Sequence, residues 1–134
     1  MNGFTLYLFD KPQGEFVEKR KTKKQQEIED NPDNYICHIC KYVITQKAEQ
    51  ILIENSHTHT FINPAGITYH IACFQTASGC VPTGQFFSEH TWFTGYQWQL
   101  ALCANCHEHM GWLYRGVDRF YGLIRERIII SGGG

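Results

Sequence analysis

After Tyr35 the chain becomes a series of short apolar or aromatic runs separated by turn residues. "EQILIE" (49–54), "HTHTFIN" (57–63), "GITYHIACF" (66–74), "HTWFTGYQWQLALC" (90–103), "MGWLYRG" (110–116) and "FYGLIRERIII" (120–130) have strand length and are rich in β-branched and aromatic residues. Breaks fall at Asn63-Pro64-Ala65-Gly66, Ser78-Gly79, Pro82-Thr83-Gly84 and Gly116. No long window carries a helical period. The pattern predicts a small all-β domain over residues 35–130, mostly antiparallel, with residues 131–134 as a flexible tail. Residues before Tyr35 follow another rule: 13 of the 25 charged side chains lie between Asp10 and Asp33, with few apolar partners. Residues 1–34 are predicted to be a charged N-terminal extension, either a solvated helix over 15–29 or a linker. "FTLYLF" could add a strand, and "NPDN" (31–34) marks the boundary.

Composition narrows the function. A chain of 134 residues with 43% hydrophobic positions supports one modest core. The formal charge is −1, and it is zero over residues 34–134, so nothing draws the domain toward nucleic acid or anionic lipid. No signal-peptide pattern or membrane-length apolar run is present in the sequence. The six cysteines are then expected to be reduced thiols or metal ligands, in the cytoplasm or nucleus.

"CHIC" (37–40) and "CANC" (103–106) are two Cys-x-x-Cys knuckles. Cys37, Cys40, Cys103 and Cys106 would complete a tetrahedral four-sulfur site suited to one Zn²⁺ ion. Four protein ligands leave no open position, so the ion is expected to be structural. Redox dithiols or disulfides are the competing readings. Most of the β domain lies between the knuckles, so one ion would tie its start to its far half. Of the other cysteines, Cys73 is expected in the core, while Cys80, beside Gly79 in a turn, could be exposed. His107 and His109 are expected at the surface or beside the ion rather than on it, and His57, His59 and His70 on one partly exposed face.

All three tryptophans, Trp92, Trp98 and Trp112, lie in one segment. Core packing and a ligand cage are both compatible with that clustering alone. Taken in order, "NPAGITYHIACF" (63–74), "SEHTWFTGYQW" (88–98), "CANCHEHMGWLY" (103–114) and "FYGLIRER" (120–127) resemble the CULT domain, the thalidomide-binding domain of cereblon. The resemblance covers about residues 35–128. It implies a zinc-pinned β-tent of two antiparallel sheets and a non-enzymatic module that binds cyclic imides, either thalidomide-type drugs or imide-ended peptides. On that resemblance Trp92, Trp98 and Trp112 form the cage and Tyr114 its base. The backbone of His90, Thr91 and Trp92 would read the imide edge, and Asn63 and Pro64 would sit at the mouth. The four knuckle cysteines match the zinc ligands. The segment that docks a ubiquitin-ligase adaptor has no counterpart in this chain, and Ala65 stands where vertebrate cereblon has His. A monomer is the default expectation.

Two other classes compete. A methionine sulfoxide reductase of the B type shares a zinc-pinned β fold but needs a nucleophilic cysteine, for which only Cys73 and Cys80 remain. A reader of methylated lysine would use the aromatic residues with Glu89 or Glu108.

Overall fold

The computed structural model describes residues 33–131. The readings placed on residues 1–32, including the helix, strand and linker alternatives, lie outside them, as do those placed on residues 132–134. Among the described residues there is no α-helix, and none is therefore long and apolar enough to cross a membrane.

Among the described residues nine strands form two antiparallel sheets. In the smaller, β1 (Asn34–Cys37) pairs with β2 (Val43–Gln46) on one side and β9 (Ile128–Ile130) on the other. The larger has the order β3-β4-β8-β7-β6-β5, with β3 Thr58–Ile62, β4 Thr68–Phe74, β5 Cys80–Phe87, β6 Gln97–Cys103, β7 His109–Arg115 and β8 Arg119–Ile124. This is the expected class, two antiparallel sheets, with the four knuckle cysteines at their junction.

Several boundaries differ from the sequence reading. "EQILIE" is not a strand: a 3-10 turn occupies Lys47–Glu49, and only isolated bridges, Gln50 to Phe74 and Ile53 to Ser56, follow it. Its alternating Ile51 and Ile53 pack on the aromatic core instead of continuing a ladder. "HTWFTGYQWQLALC" becomes a strand only at Gln97, because Trp92 and Phe93 leave the sheet plane to pack against other aromatic rings. Pro82-Thr83-Gly84 is not a break. It lies within edge strand β5, where proline costs no essential ladder bond and Gly84 (φ 84°) accommodates a register shift. "FYGLIRERIII" divides at a 3-10 turn, Arg125–Arg127, so its halves join different sheets.

Alternation along the large sheet separates two cores. Ala72 and Phe74 of β4, Leu123 of β8, and Ala101 and Cys103 of β6 pack with Ile44 and Ile128 of the small sheet. Ile71, Cys73, Phe120 and Ile124 point the other way, into a cluster with Phe93, Trp112 and Tyr114. A bulge sets the phase of β7. Ala101 faces Gly111 but Leu102 faces His109, leaving Met110 as the extra residue. Met110 therefore enters the core shared by the sheets, while Trp112 and Tyr114 enter the aromatic one.

Cys80 is buried rather than exposed, because the turn before it lies directly against β2. Gly79 donates its N–H to Ile44 O (2.9 Å), and a Cβ on Gly79 would fall on the Val43 carbonyl oxygen. Only glycine lets the two backbones approach this closely. The three histidines do not share one face. His59 meets Phe93 edge-on, His57 meets Phe74, and His70, on the opposite face of the hairpin from His59, hydrogen-bonds Glu126 at 2.6 Å.

Candidate metal centre and ligand cavity

The two knuckles repeat one backbone design. Cys37 N–H donates to Tyr42 O (2.8 Å) and Lys41 N–H to Cys37 O (2.9 Å). In the second knuckle Cys103 N–H donates to Glu108 O (2.8 Å) and His107 N–H to Cys103 O (2.9 Å). Each turn closes through a left-handed residue, Lys41 (φ 68°) or His107 (φ 65°). In each, an amide also points at the first sulfur: Ile39 N–H at Cys37 Sγ and Asn105 N–H at Cys103 Sγ, both 3.4 Å.

The four Sγ atoms lie within 4.8 Å of one another, with Cys37 to Cys106 at 3.7 Å and Cys40 to Cys103 at 3.6 Å. A tetrahedron with metal–sulfur bonds of about 2.3 Å has edges of about 3.8 Å, so the spacing suits one ion held by all four. Cys40 and Cys103 differ in their affinity for protons. For Cys40, burial opposes ionisation, but hydrogen bonds from Asn105, the Tyr42 backbone and the neighbouring thiols outweigh it and lower the thiol to about 7. Burial pushes Cys103 and Cys106 up. A bound cation would offset the cost of gathering these thiolates.

Other contacts fasten the knuckles to the sheets. His38 N–H donates to Arg127 O (3.0 Å), Ala104 N–H to Gly79 O (2.8 Å), and an Arg127 guanidinium N–H to His109 O (2.8 Å). The His38 and Glu108 side chains pair across the knuckles at 2.8 Å. His107 is exposed, whereas His109 is partly buried and meets Trp112 edge-on, linking the neighbourhood of the metal centre to the aromatic core.

On the other face of the large sheet, a cavity of about 200 Å³ is lined by Asn63, Pro64, Tyr69, His90, Trp92, Trp98, Trp112 and Tyr114. Seven of the eight ligand-site residues anticipated from the sequence thus meet in one place. Thr91 does not line it. Its hydroxyl donates to Phe93 O (3.3 Å) and accepts from Phe93 N–H (3.4 Å), bracing the loop from the adjacent groove. Tyr69 was not anticipated. It lies two residues before Ile71 on the aromatic face of β4, and its ring stands perpendicular to Trp112 at 5.3 Å.

Each wall is held from behind. Trp92 stacks on Phe61 (4.9 Å, 9°) and meets Trp112 edge-on (5.1 Å, 79°). Trp98 donates its indole N–H to Glu89 O (2.7 Å), fixing strand β6 to the loop before Trp92. Asn63 organises the mouth: its side-chain oxygen accepts from Ala65 and Ile67 N–H, both 2.9 Å, in a turn completed by Gly66 (φ 86°). His90 is itself left-handed (φ 58°), turning the loop over the cavity. Among the described residues the His90 carbonyl and the Trp92 amide have no hydrogen-bond partner.

The two cysteines outside the knuckles are not prepared as nucleophiles. Burial pushes both thiols up to about 12, reinforced by the negative charge of Glu54 for Cys73 and of Cys37 for Cys80.

The fold and knuckles define a small antiparallel β domain with a four-cysteine centre that could hold a metal ion. No family model matches the chain. It is 33% identical to protein cereblon of Danio rerio over 75 residues, 52% of this chain and 17% of that protein. It is 31% identical to protein cereblon of Gallus gallus over 75 residues, again 52% and 17%. The match to protein cereblon of Drosophila pseudoobscura pseudoobscura is longer, 25% identical over 109 residues, covering 75% of this chain and 18% of that protein. The chain carries a cereblon-like domain, and the matched segments span less than a fifth of these relatives' length.

Proposed function

We propose that the domain is a receptor for small cyclic imides, such as glutarimide, succinimide, thalidomide-type compounds or peptides ending in a cyclic imide, and that a structural zinc ion holds its scaffold. The observation that carries the reading is a cavity walled by three tryptophans beside an unpaired carbonyl and an unpaired amide on one short loop. An imide edge presents acceptor, donor, acceptor. The His90 carbonyl would accept from the imide N–H and the Trp92 amide would donate to one imide oxygen, while the indole faces shield the ring methylenes from water. A cavity of about 200 Å³ leaves room for a small ring.

Cys37, Cys40, Cys103 and Cys106 would hold the zinc. When bound it supplies cross-linking and charge neutralisation, with no position left for a substrate. Binding rather than catalysis is favoured because Cys73 and Cys80 are buried and protonated. An imide is favoured over a methylated ammonium because among the described residues no carboxylate lines the cavity, and Glu108 pairs with His38.

Tryptophan fluorescence titrated with succinimide, glutarimide and their N-methyl derivatives tests this. The expected result is saturable binding of the parent imides and binding at least about tenfold weaker for the N-methyl forms, whose missing N–H leaves the His90 carbonyl unpaired. Equal binding of an imide and its N-methyl form would refute the proposal.

A further inference from the structure

A groove that shares no residue with the tryptophan-walled cavity lies beside the turn from β7 to β8. Its walls include Ser88, Tyr96, Gln97, Arg115 and Gly116, and it encloses about 480 Å³. Arg115 faces Arg119 directly across the β7–β8 ladder. Opposed strand residues stand about 4.5 to 5.5 Å apart at Cα, and like charges placed so repel. Neither guanidinium has an ion-pair partner among the described residues. The acid of the turn between them, Asp118, instead accepts from the Tyr96 hydroxyl at 2.7 Å.

Arg115 is exposed and yet held in one pose. Its guanidinium lies 3.8 Å over the Phe86 ring, and its Nε–H donates to Gln97 Oε1 at 3.0 Å. The Gln97 amide nitrogen donates in turn to Ser88 Oγ at 3.1 Å, which fixes the amide with its oxygen toward the arginine. With the Nε–H spent and one ring face covered, the terminal nitrogens Nη1 and Nη2 remain. That pair forms a fork suited to two oxygens of one anion. Ser88 Oγ accepts from Gln97 and keeps its own proton to donate.

We propose that this groove binds a phosphomonoester. Such a group brings three terminal oxygens and a charge near −2. Two oxygens meet the Arg115 fork, the third meets the Ser88 hydroxyl, and Arg119 supplies the second balancing charge from across the ladder. A carboxylate, with two oxygens and one charge, leaves the hydroxyl and the second arginine unmatched. The remaining room in the groove takes the molecule that carries the phosphate.

The test follows backbone amide and indole resonances of the metal-loaded protein titrated with phosphoserine, glycerol 3-phosphate and acetate at constant ionic strength. Saturable shifts are expected at Ser88, Gln97 and Gly116, with the Trp92 and Trp112 indoles unmoved and acetate at least about tenfold weaker. Tighter binding of phosphoserine would assign the phosphate to a modified chain, and tighter binding of glycerol 3-phosphate to a free metabolite; each supports the site. Arg115→Gln should weaken both esters at least about tenfold and Arg119→Gln about threefold. Arg119 is exposed and has no partner among the described residues, so its variant reads the site even if Arg115→Gln fails to fold. Esters that bind no tighter than acetate, shifts centred on the indoles, or affinities unchanged in Arg119→Gln overturn the proposal.

Discussion

The two faces of the large sheet are built on opposite terms. Toward the small sheet, Phe74, Ala101, Met110 and Leu123 fill the space around the knuckles, and Gly79 brings two backbones into contact. Toward the other face, rings meet mainly edge to face and leave a cavity between them. One face spends its residues on closure, the other on an opening. The lesson is that the cavity need not contribute to folding, because the cysteine face does so.

That division can be broken most severely at the metal. If the four cysteines hold a structural zinc ion as proposed, its removal by a chelator, or Cys103→Ser, is expected to abolish cooperative thermal unfolding monitored by circular dichroism, since such an ion contributes on the order of 10 kcal/mol in small domains. A metal-free protein melting within a few degrees of the loaded one would refute the assignment of stability to this face. Gly79→Ala should come next. The added methyl meets the Val43 carbonyl, and about 3 kcal/mol of stability should be lost by denaturant titration with the tryptophan-walled cavity otherwise unaltered.

Trp98→Ala probes the opposite face. Trp98 is only partly buried, so a loss of about 1 kcal/mol in stability should accompany a loss of imide affinity of at least about thirtyfold. Equal damage to both would make the tryptophan a core residue after all.

The smallest effect concerns His109, at the boundary between the faces. Burial lowers its folded value below the ordinary 6.5, countered by its bond to Gly111 O and reinforced by Arg127. The folded state therefore binds fewer protons than the unfolded chain. Stability should decline as pH falls through about 6.5 and stop declining below the depressed folded value. His109→Phe, which keeps an aromatic edge against Trp112, should flatten that decline by at most one proton's worth.

Much of this was legible in the chain. The strands β3, β4 and β7 follow from alternation and flanking turns, and the cluster of four cysteines that could hold a metal ion from cysteine spacing. Strands β1 and β2 were missed: "NYIC" and "VITQ" are short and lie on either side of a knuckle whose chemistry dominates the local pattern. The loop carrying His90 and Trp92 looked like a strand because its composition is that of one. Only the packing of Trp92 on Phe61 and Phe93 on Tyr114 explains why it leaves the sheet. Tyr69 had no local signature, since its place at the cavity depends on what β4 faces across the fold.

A final consequence comes from the way the small sheet is assembled. Strand β1 pairs with β9, and Ser131 N–H donates to Asn34 O at 2.7 Å, so the entry and exit of the described residues are neighbours. Both belong to the sheet on the side away from the cavity. Residues 34–131 are therefore suited to grafting: a surface loop of a host protein could be opened and the whole unit inserted through one narrow stem, with the tryptophan cavity facing outward as a recognition element.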